Sequence, residues 1–296
     1  MADAARQVLL VADDFAITEG VSAGIAQLAR AHRIGGTSAL VTLDRWRSDG
    51  ALLAALRSEI AIGLHINLTL GAPLTSMRTL ARGGEFPKLA PLIGSSLLRR
   101  LDRRELEEEI TRQLERFASI CGHAPDFIDG HQHVHALPVV RDALIDSVRQ
   151  FYQNQAFKPL VRVPGDRMHA VMGRSGARSK GLLLAALSTG FSGLLGRCGL
   201  PANDSFAGVS GFGESEADVA RDFASAVQAM GRLHLVMCHP GLPTPELAAF
   251  DPITTRRRAE LAVLSRDNVL SAHLWHPVRD AGTGAIDWTE VGAVAR

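Results

Sequence analysis

The sequence predicts an α/β protein built as a (β/α) barrel. Short apolar runs bounded by polar residues suit strands buried on both faces, and amphipathic helical patterns alternate with them six or seven times along 296 residues without an obvious linker. That rhythm alone separates a barrel poorly from an open doubly wound sheet. The third observation favours the barrel: polar residues able to do chemistry recur at the C-terminal ends of the runs, where a parallel β/α architecture gathers them on one face.

In chain order, residues 8–12 are apolar and end at Asp13 and Asp14, and Val21, Ile25, Leu28 and Ala29 follow with helical spacing. Residues 37–43 read as a strand, 51–56 as a helix and 60–68 as a third strand, with His65 and Asn67 late in it. The stretch 71–91 is rich in Gly and Pro and reads as a long loop. Residues 102–120 carry helix periodicity at Leu106, Ile110, Leu114 and Phe117, and their Glu/Arg run reads as a solvated face. Phe127 and Ile128 lead into a histidine-rich stretch, 138–148 looks helical, 160–163 and 234–238 read as strands, and 255–264 as a final helix.

A hydrophobic content of 46% supplies a buried core and excludes disorder. Thirty-two basic residues against 31 acidic ones leave no field to attract nucleic acid or an anionic membrane. Cys121, Cys198 and Cys238 are scattered, with no CxxC pair, which points to a reducing compartment. The short apolar run after residue 7 is no signal sequence, so a cytoplasmic protein is expected. Residues 181–196, "GLLLAALSTGFSGLLG", carry no charge, but their Ser, Thr and Gly content suits a buried or surface helix better than a membrane span.

The chemistry concentrates around residues 129–135, "DGHQHVH". If extended, this stretch would turn His131, His133 and His135 to one side, although a surface turn would look the same. Asp13 and Asp14 at the end of a buried strand are costly unless a cation or proton offsets them, or they cap the next helix. His65 in an apolar strand is either a hydrogen-bonded core residue or a ligand. One carboxylate and two imidazoles would leave an open position for water, the pattern of a catalytic metal. The second Asp could then accept a proton from the attacking water, and His239 in "MCHPG" could protonate a departing amine.

With those residues in view, the chain resembles the YdjC-like carbohydrate deacetylases, the ChbG/HpnK group, from about residue 8 to 264. The resemblance rests on "VADDFAIT" (11–18), "GLHINLTLGAPL" (63–74), "DGHQHVHALP" (129–138), "RVP" (162–164) and "MCHPG" (237–241), in that order. It implies a distorted (β/α) TIM-like barrel related to that of the NodB-type polysaccharide deacetylases, forming a single domain over 1–296. It also implies removal of acetyl groups from N-acetylated sugars with a divalent cation. Carried over by position, Asp13 would be the general base, and Asp14, His65 and His131 would hold the metal. His133 and His135 would be supporting or substrate contacts, as would Asn67, and Arg162 would steady Asp13 or touch substrate. Between His131 and His133 as ligand, His131 is preferred.

Two departures stand out: Ala16 where the family usually has Gly, and Gln132 in place of the middle histidine of "HHHVH". Ala16 makes a positive φ less comfortable.

The leading expectation is a metal-dependent N-deacetylase acting on an acetylated amino sugar, as an oligosaccharide or a glycolipid head group. A phosphoester hydrolase using the same ligands and a non-catalytic sugar- or lipid-binding barrel are the alternatives. Zn is the favoured ion, with Mg, Co, Ni and Mn open. Residues 166–204 match no family motif. They could form a lid, a homodimer contact, a peripheral membrane contact for a lipid-linked substrate, or an ordinary barrel helix with its loop.

Overall fold

The computed structural model describes residues 7–289 apart from 175, 212 and 252. Seven strands, β1 (Val8–Phe15), β2 (Gly36–Ala39), β3 (Ala61–Ile66), β4 (Phe127–Gly130), β5 (Leu160–Val161), β6 (Ser205–Ala207) and β7 (His234–Cys238), form one sheet in the order β5-β4-β3-β2-β1-β7-β6. Every pairing is parallel.

The two sheet edges meet. Val161 and Ala202 form a parallel bridge, and the Val161 N–H donates to Pro201 O at 2.8 Å. One residue on, the Asn203 side chain continues the ladder: its Oδ1 accepts from Val163 N at 2.7 Å, and its Nδ2 donates to Val163 O at 2.9 Å. The result is a curled, distorted barrel bridged at this seam, with the expected (β/α) architecture and its shortest strands at the two edges.

Helices α1 (Glu19–Arg30), α2 (Trp46–Ala55), α3 (Leu89–Leu97), α4 (Arg103–Cys121) and α5 (Val140–Phe151) connect the first five strands. Between β5 and β6 lie α6 (Met168–Gly173), α7 (Arg178–Leu187) and α8 (Phe191–Arg197). After β6 come α9 (Glu216–Ala226), α10 (Leu247–Phe250) and α11 (Thr254–Leu264), with β7 between α9 and α10. The uncharged stretch 181–196 is split at Gly190, whose φ of 76° breaks it into α7 and α8. Among the described residues no helix is long and apolar enough to cross a membrane.

Side chains alternate along the strands, as a barrel with helices outside requires. Val8, Leu10 and Ala12, Ile62 and Leu64, Ile128, and Val236 pack outward in the large cluster with the helices. Leu9 and Val11, Ala61, Phe127, Leu160, Phe206, and Leu235 and Met237 form the interior cluster. Trp275, Ile286 and Trp288 join that interior from the C-terminal segment, which is tied to the start of β1 by the Val8–Leu274 bridge. This segment seals the N-terminal end of the barrel.

Several sequence expectations shift. The strand expected over 37–43 ends at Ala39, and the loop expected over 71–91 gives way to α3 at Leu89. β6 is too short to show alternation. α9 carried a readable signal in its capping box, Ser215 with Asp218. The Glu/Arg run of α4 is not simply solvated: Glu109 and Gln113 are fully buried. Glu109 accepts from Leu74 N (3.0 Å), Thr75 N (2.9 Å) and Thr75 Oγ1 (2.7 Å), and Glu105 accepts from Thr79 N (2.9 Å), so this stripe clips the loop after β3 to the barrel.

Candidate active site

Continuing the interior register by two residues at the C-terminal ends of the strands replaces apolar side chains with polar ones. Leu9 and Val11 lead to Asp13, Ala61 and Gly63 to His65, Phe127 to Asp129, Leu160 to Arg162, and Leu235 and Met237 to His239. Most of the site is therefore a consequence of strand alternation. Asp14, one residue out of phase, would face the helices in a regular strand.

A bulge brings it in. Between Ala12 and Phe15 the β1–β2 register shifts, and Asp14 adopts a left-handed backbone with φ 69°. Aspartate tolerates that conformation better than most residues. Ala16 follows with φ 70°, the strained value for which its Cβ is unsuited, and its N–H is held by Ser22 Oγ at 3.0 Å.

Strain gathers in a second place. The histidine-rich stretch is not extended but forms a tight turn, His131–Ala136, in which Gln132 and His133 have φ of 52° and 60°. Of eight described non-glycine residues with positive φ, four lie in these two segments, which is where strain at a functional site is expected. Gly130 permits the turn, because a Cβ there would sit 2.8 Å from His135 Nδ1.

The turn corrects the picture of three histidines on one side. His131 Nδ1 lies 2.9 Å from Asp14 Oδ1. His133 instead meets the ring of Phe206 edge-on at 5.7 Å. His135 is fully buried and its Nε2 donates to Arg162 O at 2.9 Å, so it supports the backbone of the arginine. Burial, reinforced by the Arg162 charge, lowers the basicity of both His133 and His135, the latter to about 4.

His65 Nε2 lies 3.3 Å from the same Asp14 oxygen. Asp14 Oδ1, His65 and His131 thus offer ligand atoms within 4.8 Å of one another, a donor set of one carboxylate and two imidazoles suited to a borderline divalent cation. Although burial opposes charge on His65, Asp129 and the neighbouring carboxylates outweigh it and raise its pKa to about 10. The pocket is organised for a positive charge at this point.

Asp13 forms a two-pronged pair with Arg162, at 2.7 Å for each oxygen. Burial alone would raise its pKa, but the guanidinium overrides it and holds the carboxyl at about 2. His239 Nε2 lies 4.0 Å from Asp13 Oδ2, and the His239 side chain keeps 23% of its surface exposed, so it reaches toward the mouth.

Asn67 is the exception among the candidates. Its Nδ2 donates to Thr42 Oγ1 and Leu70 O, and its Oδ1 accepts from Thr69 N and Leu70 N. All four hydrogen-bonding positions close a turn, so of the two roles the sequence suggested, supporting or substrate contact, these bonds match the supporting one.

Three supporting residues escaped the sequence reading. Asp129, inside the quoted motif, joins His65 and Arg162. Ser38 donates to Asp129 Oδ2 at 3.0 Å. Arg257, from α11, donates to Asp14 Oδ2 and to Asp251 Oδ2, each at 2.5 Å, and helps hold the Asp14 carboxyl well below the ordinary carboxylate range against the effect of burial. Alternation could have flagged Asp129 and Ser38, but nothing local announces Arg257.

A profile of the YdjC-like proteins matches residues 7–273. The chitooligosaccharide deacetylase of Klebsiella pneumoniae (strain 342) is 34% identical over 135 residues, 45% of this chain and 51% of that protein. The chitooligosaccharide deacetylase of Yersinia pestis (strain Pestoides F) is 35% identical over 138 residues, 46% and 53% of the two chains. The chain thus spans about half the length of these relatives. In overall shape it is similar to a solved Enterococcus faecalis V583 protein provisionally assigned to cellobiose-phosphate cleavage, with a TM-score of 0.69 and 18% identity over 92% of this chain and 97% of that one. That likeness bears on the fold alone.

Proposed function

The chain belongs to the YdjC-like family, and on that premise we propose that it is a divalent-cation-dependent hydrolase removing the N-acetyl group from an acetylated amino sugar, as an oligosaccharide or a glycolipid head group. One observation carries the reading: an anchored carboxylate, Asp13, and a partly exposed imidazole, His239, stand 4.0 Å apart beside the Asp14, His65 and His131 cluster. The names of the two deacetylase relatives supply the substrate class.

Asp14, His65 and His131 would hold the cation, with Zn the favoured ion because imidazole donors suit it; Mg, Co, Ni and Mn are the alternatives. When bound, such an ion acidifies water and polarises the acetyl carbonyl.

The remaining work falls to the chain's own groups. Asp13, ionised at any working pH and aimed by the Arg162 fork, accepts the proton of the attacking water. So acidified a carboxylate is a weak base, which is why the reading requires a cation beside it. His239 donates to the departing amine, since an amine leaves poorly until protonated. His135 and His133 support this arrangement from behind, through Arg162 and Phe206.

The phosphoester alternative fares less well. A second group of potential ligands, Asp13, His65 and Asp129, shares His65 with the first, and the Arg162 guanidinium already contacts both of its carboxylates. A two-ion site would have to displace a buried arginine.

The test is acetate release from a panel of chito-oligosaccharides and acetylated glycolipids, with bis(4-nitrophenyl) phosphate as the rival substrate. Release should stop with chelator and return with Zn²⁺. Asp13→Asn and His239→Asn should each lose about 10²-fold or more in kcat, the ordinary size of a general acid–base contribution. Acetate release indifferent to chelation, or turnover of the phosphodiester alone, would refute the proposal.

A further inference from the structure

Asp129 is fully buried at the centre of the site, and neither the proton transfers nor the proposed ligand set uses it. Both of its oxygens are engaged. Oδ1 lies 2.6 Å from His65 Nδ1, while Oδ2 lies 2.5 Å from Arg162 Nη2 and 3.0 Å from Ser38 Oγ. The β3–β4 register pairs His65 with Asp129 directly, so the contact is set by strand pairing and not by a mobile side chain.

We propose that Asp129 is a positioning residue that fixes the tautomer and ring orientation of His65, presenting Nε2 to the divalent cation.

The hydrogen-bond logic runs in one direction. Oδ2 is occupied by two donors, the Arg162 guanidinium and the Ser38 hydroxyl, so the carboxylate meets His65 as an acceptor through Oδ1. Nδ1 must then carry a hydrogen, and the lone pair available for a cation sits on Nε2, the atom 3.3 Å from Asp14 Oδ1 on the side of His131. Because Asp129 is itself clamped by Arg162 and Ser38, it resists rotation of the imidazole. Carboxylate partners behind histidine ligands act in this way, and losing them weakens metal binding by about 10- to 100-fold.

The inference rests on the cation-binding part of the proposed function. Titration calorimetry with Zn²⁺ on the wild-type chain, Asp129→Asn, His65→Gln and the double variant separates the two, with thermal unfolding of each metal-free protein as the folding control. Asp129→Asn should weaken Zn²⁺ binding about 10- to 100-fold, and adding it to His65→Gln should weaken binding no further. That second result distinguishes action through His65 from a general electrostatic or structural role. Unchanged affinity in Asp129→Asn, or an equal loss in both backgrounds, overturns the inference and leaves the proposed function standing. A wild-type chain that binds no divalent ion overturns both. Should Asp129→Asn fail to fold, Asp129→Glu, which keeps the charge and moves the carboxylate, carries the test, because Ser38 Oγ also lies 3.0 Å from His65 Nδ1 and cannot isolate Asp129. A several-fold weakening that disappears in the His65→Gln background supports the inference, and wild-type affinity overturns it.

Discussion

Replacing Arg162 with Met removes the cation shared by two buried carboxylates while keeping an unbranched apolar side chain. Arg162 is fully buried, and Asp13 and Asp129 are 2% and 0% exposed. Holding Asp13 from the ordinary 3.8 down to about 2 corresponds to about 2–3 kcal/mol of stability near neutral pH. Asp129 loses the same partner, so the total falls within the ~3–5 kcal/mol expected when one member of a buried ion pair is removed. For a chain of 296 residues that is a fall in Tm of about 5–8 °C.

The pH dependence has a definite sign. Asp13 has a depressed pKa, so its contribution is fully present above 3.8 and is lost as pH falls through about 2. Without Arg162, burial pushes the same carboxyl upward, so Asp13 takes up a proton at a higher pH in the variant. The stability gap should be widest near pH 7 and narrow toward pH 4. Calorimetric unfolding of metal-free wild type, Arg162→Met and Arg162→Lys at pH 7, 5.5 and 4 checks this, with the Lys variant intermediate because it keeps the charge and loses the fork. A Met variant melting within about 2 °C of wild type at pH 7, or a gap that does not change with pH, would refute the reasoning.

Four further predictions follow from the same geometry. His65 holds its proton up to about 10, so a cation binding there at pH 7–8 should expel about one proton, with apparent affinity rising about tenfold per pH unit below 10; calorimetry in buffers of different ionisation enthalpy measures this, and binding without proton release would contradict it. In the metal-free chain the same raised pKa stabilises the fold fully below 6.5, and that contribution should fade as pH climbs through about 10. Gly130→Ala should push His135 and the turn bearing His131 out of place, weakening Zn²⁺ binding more than it lowers Tm; an unaffected titration would show that the turn absorbs the methyl. Glu109→Ala should release the loop at residues 74 and 75, costing about 1–3 kcal/mol and speeding proteolytic cleavage within 71–85 as followed by mass spectrometry.

Much of the barrel is encoded locally. The apolar runs ending in polar residues mark the central strands correctly because parallel strands are buried on both faces, and their ends must then coincide on one face of the barrel. Asp13, His65, Arg162 and His239 come together as their places in the strand alternation imply. β6 was hard to read for the opposite reason: with three residues it carries too little pattern, whereas the strand read over 160–163 pairs as β5 across two residues and is bridged to the other sheet edge at Val161.

What the chain composition and motifs determined by themselves was the fold class, the family and the residue types of the candidate site. Tertiary structure alone decided how those residues divide their work. A left-handed residue in β1 turned Asp14 inward beside Asp13, and two more in the histidine turn sent His131, His133 and His135 to three different neighbours. Arg257 reaches Asp14 from 243 residues away. Such contacts depend on backbone strain and on long-range packing, which act between segments and leave no periodic trace in either one.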